Sequence, residues 1–212
     1  MYVNINNKPT KVIVKRKPIK NVYFKWLGED LLVTCNTYTP QFEIEKLIKK
    51  NLDGLIKLKS RTPKSDLNAN EMYYLGIKYV IEYDGVSKTY IDGNKIISKD
   101  QHELSKYLFH QCQVIFTSRL ERLKAQFDNL PEFTLKIRKM STRWGVCNKS
   151  SMSITLNSEL IKKDVSLIDY VIIHELCHFK YMNHSLEFWQ EVEKYYPYHK
   201  MARKMLRESQ YD

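Results

Sequence analysis

His174, Glu175 and His178 stand in the order His-Glu-Leu-Cys-His, and a third histidine, His184, follows after five intervening residues. On a helix, residues four apart project from one face in successive turns. Two imidazoles so placed can share one tetrahedral zinc ion, and a carboxylate beside the first of them reaches a water in the open coordination position. The chemistry this spacing predicts is hydrolysis. Zinc would lower the pKa of its water toward neutrality, and Glu175 would take the proton and return it to the leaving amine.

The elements around the motif must deliver that geometry. Leu167, Ile168, Val171, Ile172 and Leu176 form an apolar run leading into it, the pattern of a helix buried in a core. Ser166 followed by Asp169 fits a capping box and predicts a helix start near residues 165–167. The motif then falls about two turns inside a buried helix, where an uncompensated His and Glu would be costly. A metal removes that objection. For the third ligand, the spacing matches the pattern HExxHxxGxxH, in which a glycine turns the chain sharply. Tyr181 stands at the glycine position here, so the turn is expected from Asn183, a residue that tolerates the left-handed conformation. The helix is expected to stop near Met182, swinging His184 back toward the metal. Ser185 then restarts a helix over residues 186–195, with Pro197 beyond its end. Glu187, Glu191 and Glu193 on that helix are the alternative third ligands, and His184 is the choice made here.

Upstream, residues 11–35 read as short strands (12–14, 22–24 and 31–33), and Pro40 opens a helix over 42–48 that Asn51 to Gly54 should end. Residues 62–70 read as a polar linker. A second strand group spans 73–97, punctuated by Asp84-Gly85 and Asp92-Gly93. Residues 99–128 read as one long helix with a stripe of Leu104, Leu108, Cys112, Ile115, Leu123 and Phe127. His102 and His110 on it are expected to be ordinary surface or core residues. Phe133, Leu135 and Ile137 alternate as a strand, and 144–147 with 153–156 read as a hairpin. The fold class expected is α+β. A zincin-like core of long helix, small antiparallel-type sheet and HExxH helix occupies residues 98–212, and a β-rich region occupies 1–97. An exposed strand edge in such a core can hold an extended peptide by backbone hydrogen bonds.

The ordered run Ser141-Thr142-Arg143-Trp144-Gly145-Val146-Cys147, Ile154-Thr155-Leu156-Asn157, His174 to His178, Asn183-His184-Ser185 and Phe188-Trp189 resembles the YgjP-like metallopeptidase family. That family is related to the SprT-like and WLM zinc peptidases. The likeness is strong over roughly residues 130–205 and looser before them. It implies zinc on His174, His178 and His184, with Glu175 as the catalytic carboxylate. Val146 departs from the serine common in the family, at a position given no catalytic role.

Oxyanion stabilisation needs a further donor, and Arg143, Tyr170, Tyr181, Tyr195 and His199 are candidates by proximity in sequence. Asn157 or Asp169 could orient a ligand histidine, Asp169 equally being a helix cap. Cys177 reads as a small core residue. Cys35, Cys112, Cys147 and Cys177 show no CxxC pairing, and the first residues lack the apolar stretch of a secretory signal, so a cytoplasmic chain with reduced thiols is expected. No apolar run of membrane-spanning length exists.

With a net charge of +11, lysines cluster at Lys11 to Lys20 and again around Lys57, Lys59, Arg61 and Lys64. Such clusters could follow phosphates, although lysine-rich solvated surface explains them as well. The function expected is a zinc metallopeptidase acting on peptide or protein. Two alternatives stand beside it, a metal-dependent nucleoside-triphosphate pyrophosphohydrolase and a DNA-associated protein with a structural zinc. Glu175 argues against the last, because a structural zinc has no use for a general base.

Overall fold

The computed structural model describes residues 1–5, 8–61 and 67–208, with only the backbone of residues 57, 60 and 61. Residues 62–66 of the expected linker, and the side chains of Lys57, Arg61 and Lys64, lie outside the described part. The chain is α+β and divides into two compact units, Met1–Ser65 and Asp66–Gln210.

In the first unit β1 (Tyr2–Ile5), β2 (Lys8–Lys17), β3 (Tyr23–Leu27) and β4 (Asp30–Asn36) form a sheet in the order β1-β2-β4-β3. β2 runs parallel to β4, and the other pairs are antiparallel. Alternate residues Val12, Trp26, Leu31, Val33 and Cys35 point to one buried face, as period-two patterning requires. Helices α1 (Gln41–Lys50) and α2 (Leu52–Arg61) cover that face through Ile44, Ile48 and Leu55. The expected helix stop at residues 51–54 is a break of one residue. Asn51 closes α1 by donating its amide to Leu47 O, and α2 follows with Gly54 inside it. Burial overrides the glycine's low propensity, since Leu55 must reach the core and Trp26 Nε1 donates to Leu55 O at 2.9 Å.

The second unit begins with β5 (Glu71–Tyr74), β6 (Ile77–Tyr83), β7 (Tyr90–Asp92) and β8 (Lys95–Ser98), ordered β5-β6-β8-β7. The sequence reading set its boundary between 97 and 98 and grouped these strands with the amino-terminal region. The contacts divide the chain at 65/66 instead, because Met72, Tyr74 and Ile96 are buried in the same core as the helices that follow. Next comes α3 (Gln101–Lys124), capped by Asp100, whose side chain accepts from the Glu103 amide at 2.8 Å. Leu104, Cys112, Phe116, Leu120 and Leu123 are its buried stripe, while His102 and His110 are exposed.

The small sheet that follows contains β9 (Thr134–Arg138), β10 (Gly145–Asn148) and β11 (Ser153–Asn157) in the order β10-β11-β9. The hairpin of β10 and β11 is antiparallel as expected, but β9 pairs parallel to β11. The sheet is therefore mixed, not antiparallel-type throughout. A 3-10 turn (Ser158–Lys162) leads into α4 (Val165–Cys177), and α5 (Leu186–Tyr195) and α6 (His199–Glu208) complete the unit. Among the described residues no helix is long and apolar enough to cross a membrane.

Candidate metal centre

Helix α4 carries the motif, and its start differs from expectation. The cap is Asp164, whose carboxylate accepts from the Ser166 amide at 2.8 Å, so Ser166 lies inside the helix. Asp169 is not a cap. It is buried and forms a two-pronged pair with Arg119 of α3, with Arg122 nearby at 3.6 Å. Its expected role of orienting a histidine is thus replaced by a tie between α3 and α4.

The helix ends at Cys177, not near Met182, with His178 at its carboxyl end. The amides of Phe179 and Lys180 turn back to Leu176 O and Cys177 O, tightening the chain into a turn. Asn183 keeps a negative φ, so the bend needs no left-handed residue there. One product of this turn is a hydrogen bond from His178 Nδ1 to Tyr181 O at 2.9 Å. A carbonyl only accepts, so Nδ1 holds the proton and the Nε2 lone pair is left for a ligand.

The chain then returns His184 to α4. Its Nε2 lies 3.1 Å from His174 Nε2, and one ligand atom from each of His174, His178 and His184 falls within 4.8 Å of the others. Two nitrogens 3.1 Å apart suit binding to one ion at about 2.0–2.1 Å each. Among the described residues His174 Nδ1 is buried without a hydrogen-bond partner, so Nε2 is the atom by which this ring meets a neighbour. Three imidazoles are a donor set for a first-row divalent metal, and the residues present fit one.

Burial sets the charge of these groups. Burial, reinforced by His178 and His184, pushes His174 down to about 3, and burial likewise lowers His178 and His184. All three offer lone pairs at neutral pH. Phe188, fully buried, lies under them, with its ring centroid 4.5 Å from His178 and 4.9 Å from each of the other two. Trp189 stacks on His184 at 5.6 Å and on His199 at 5.3 Å. Arg203 of α6 lies 4.8 Å over the same indole.

Glu175 is 5% exposed, and burial raises its carboxyl from the ordinary 4.5 to about 8, against the opposing pull of the Cys147 amide and Arg143. It rests against β10 at Gly145, where a Cβ would lie 2.6 Å from Glu175 Oε1 and 2.7 Å from its Cγ. Only a glycine leaves the carboxyl this room. Asn157, proposed as an orienter of histidine, holds the preceding segment instead. Its amide donates to Met140 O and Arg143 O at 2.9 and 2.8 Å, and its carbonyl accepts from the Met140 amide.

A cavity of about 640 Å³ opens over the three histidines and Glu175. Of the oxyanion candidates, Arg143 and Tyr170 line it, and Tyr181, Tyr195 and His199 do not. Tyr195 stacks on Phe127 with centroids 3.8 Å apart. The alternative ligands Glu187, Glu191 and Glu193 stand outside the histidine cluster, Glu191 being paired with Lys180 at 3.0 Å. Cys177 is buried in the core. Arg203 and Arg207 also line the cavity, and sequence reasoning missed them because the amphipathic α6 carrying them was not recognised. The signal was there, in Ala202 and Leu206 four residues apart after a proline turn.

A family profile described as YgjP-like, metallopeptidase domain, matches residues 20–209. No curated protein matches the chain. Among solved structures it is similar to the metallopeptidase zymogen jannalysin of Methanocaldococcus jannaschii, at 19% identity and a TM-score of 0.41 over 44% of this chain and 95% of that one. It is also similar to the zymogen abylysin of Pyrococcus abyssi, at 26% identity and a TM-score of 0.40 over 43% and 92% of the two chains.

Proposed function

The chain belongs to the YgjP-like metallopeptidase family, and from that premise we propose that His174, His178 and His184 hold a zinc ion and that Glu175 is the general base of peptide-bond hydrolysis. The observation that carries this reading is three neutral imidazoles converging beside one buried carboxyl. A zinc ion there would supply a Lewis acid and a water of lowered pKa. The remaining work falls to side chains. Glu175, ionised beside the cation, accepts the proton of the attacking water and hands it to the leaving nitrogen. Arg143 and Arg203 put positive charge on the cavity where negative charge develops on the carbonyl oxygen, and Tyr170 adds a hydroxyl that burial keeps neutral, its pKa pushed up to about 12. β10 is an edge strand, and its outward backbone groups, apart from the Cys147 amide that Glu175 holds, would align an extended peptide. We read α3, the β10-β11-β9 sheet and α4 as the zincin core.

The test is metal content by elemental analysis together with cleavage of a protein substrate such as casein. Wild type should carry about one zinc, and His184→Ala much less. Glu175→Gln should keep its zinc and lose about 100- to 10,000-fold in rate. Zinc-loaded Glu175→Gln that cleaves at the wild-type rate would remove Glu175 from the mechanism. Wild type that takes up no zinc would remove the metal centre.

A further inference from the structure

The charge of this chain is unevenly placed. Fourteen Lys and Arg against five Asp and Glu in residues 1–65 leave +9 of the total +11 in under a third of the length. The three histidines of the metal centre all lie in the second unit.

The sheet of the first unit shows how that charge is presented. One face is closed by α1 and α2, and the register fixes what stands on the other. Lys15, Thr34 and Tyr23 form one row across β2, β4 and β3, and Ile13, Leu32 and Lys25 form the next. Tyr2 pairs with Lys11 beyond them, and Lys17 continues β2 on the same side. Tyr2 is 72% exposed and Tyr23 58%. Lys11, Lys15, Lys17 and Lys25 are exposed, and none has an ion-pair partner among the described residues. Asp30, half-buried, is the one acidic side chain on that face there. Neighbouring rows are about 6.7 Å apart and neighbouring strands about 4.8 Å apart, so each tyrosine has an ammonium group within a nucleotide's length, Tyr2 across from Lys11 and Tyr23 one row from Lys25, while the two rings stand on opposite edge strands.

We propose that the open face of the β1–β4 sheet binds single-stranded nucleic acid, with Tyr2 and Tyr23 stacking on bases and Lys11, Lys15, Lys17 and Lys25 against phosphates. A flat sheet whose aromatics stack two or three bases while basic groups track the backbone is a physically sufficient platform for this ligand. A duplex hides the base faces that the tyrosines would use. An anionic bilayer would be met through protruding apolar side chains; this face exposes Ile13 and Leu27 as well as the tyrosines and lysines, so the vesicle arm of the experiment separates the two ligands.

The experiment measures anisotropy of a fluorescein-labelled twelve-residue oligothymidylate with the full chain across a salt series. Wild type should bind with a log–log salt slope of about −3, four phosphate contacts at about 0.7 each. Lys11→Gln/Lys15→Gln/Lys25→Gln should weaken binding and flatten the slope by about 2. Tyr23→Ala should weaken it by about 5- to 100-fold with the slope unchanged, and Tyr23→Trp should restore it. Lys46→Gln/Lys49→Gln/Lys50→Gln on α1 is the matched control and should change little. Equal loss in the control would overturn the proposal in favour of diffuse charge. So would equal affinity for duplex, or capture by phosphatidylserine vesicles without binding to the oligomer. Zinc content and cleavage are not read here, so this site and the metal centre stand or fall separately.

Discussion

Glu175 and Gly145 constrain each other. The carboxyl occupies the space a side chain at 145 would need, with approaches of 2.6 to 2.9 Å from a Cβ to three of its atoms. Gly145→Ala should therefore displace the carboxyl while leaving the three imidazoles in place. The expected result is a fall of about 100-fold in kcat for a carboxyl moved by roughly an ångström, with zinc stoichiometry unchanged by elemental analysis. Loss of zinc in parallel would show that the glycine supports the ligands instead. The glycine was legible in the sequence only as part of a run of residues resembling a family, because nothing local distinguishes a glycine used for close approach from one used for a turn. The clustering of the three histidines was legible for the opposite reason. A spacing of four on an apolar helix carries its own geometry, and the choice of His184 over three glutamates followed from ligand chemistry.

Elements hold these residues through ties that one sequence window cannot reveal. Asp169 lies 50 positions from Arg119, and the pair joins the long helix α3 to the helix bearing the motif. Read locally, Asp169 resembles a cap; read in space, it is a buried carboxylate whose burial Arg119 makes tolerable. Asp169→Ala leaves Arg119 unpaired and should cost about 3 kcal/mol, the lower end for a broken buried pair because Arg119 keeps some access to water. Chemical denaturation of the zinc-free protein measures it. A loss within experimental error would mean that the pair only orders the surface. A second tie is steric. Gly76, at φ +81, approaches the Asp164 backbone so closely that a Cβ would lie 2.9 Å from Asp164 Cα. Leu75 also donates to Ile161 O at 2.8 Å. The β5–β6 turn therefore buttresses the start of α4, which explains why contacts assign that sheet to the second unit while its run of strands groups it, in sequence, with the β-rich region before it. The same limit hid the parallel pairing of β9, since alternation tells which face a residue occupies but not which way its neighbour runs.

At the scale of the molecule, buried groups couple the metal centre to stability. In the metal-free protein Glu175 has its pKa raised, so its favourable contribution is complete below pH 4.5 and is lost as pH rises through about 8. His174 has its pKa depressed, so its contribution is complete above pH 6.5 and is lost as pH falls toward about 3. The two oppose each other between 4.5 and 6.5, and above 6.5 only the carboxyl arm remains. Glu175→Gln, chelated free of metal, should therefore melt higher than wild type at pH 8 and match it at pH 4. Thermal scans at the two pH values read this directly, and identical melting at pH 8 would mean the carboxyl is better solvated than its burial implies. Composition and charge predicted none of this, though they did locate the basic segment that the first unit displays.

The stack of His184, Trp189 and His199 also makes the chain its own optical reporter. Its three tryptophans divide the labour, with Trp26 enclosed in the first core, Trp144 donating to Leu206 O at 3.2 Å, and Trp189 lying face to face with His184. Whatever reorients or recharges the His184 ring changes the surroundings of that one indole. Titrating metal into apoprotein should shift tryptophan emission without any label, and Trp189→Phe should silence most of the change while leaving the other two indoles to follow unfolding.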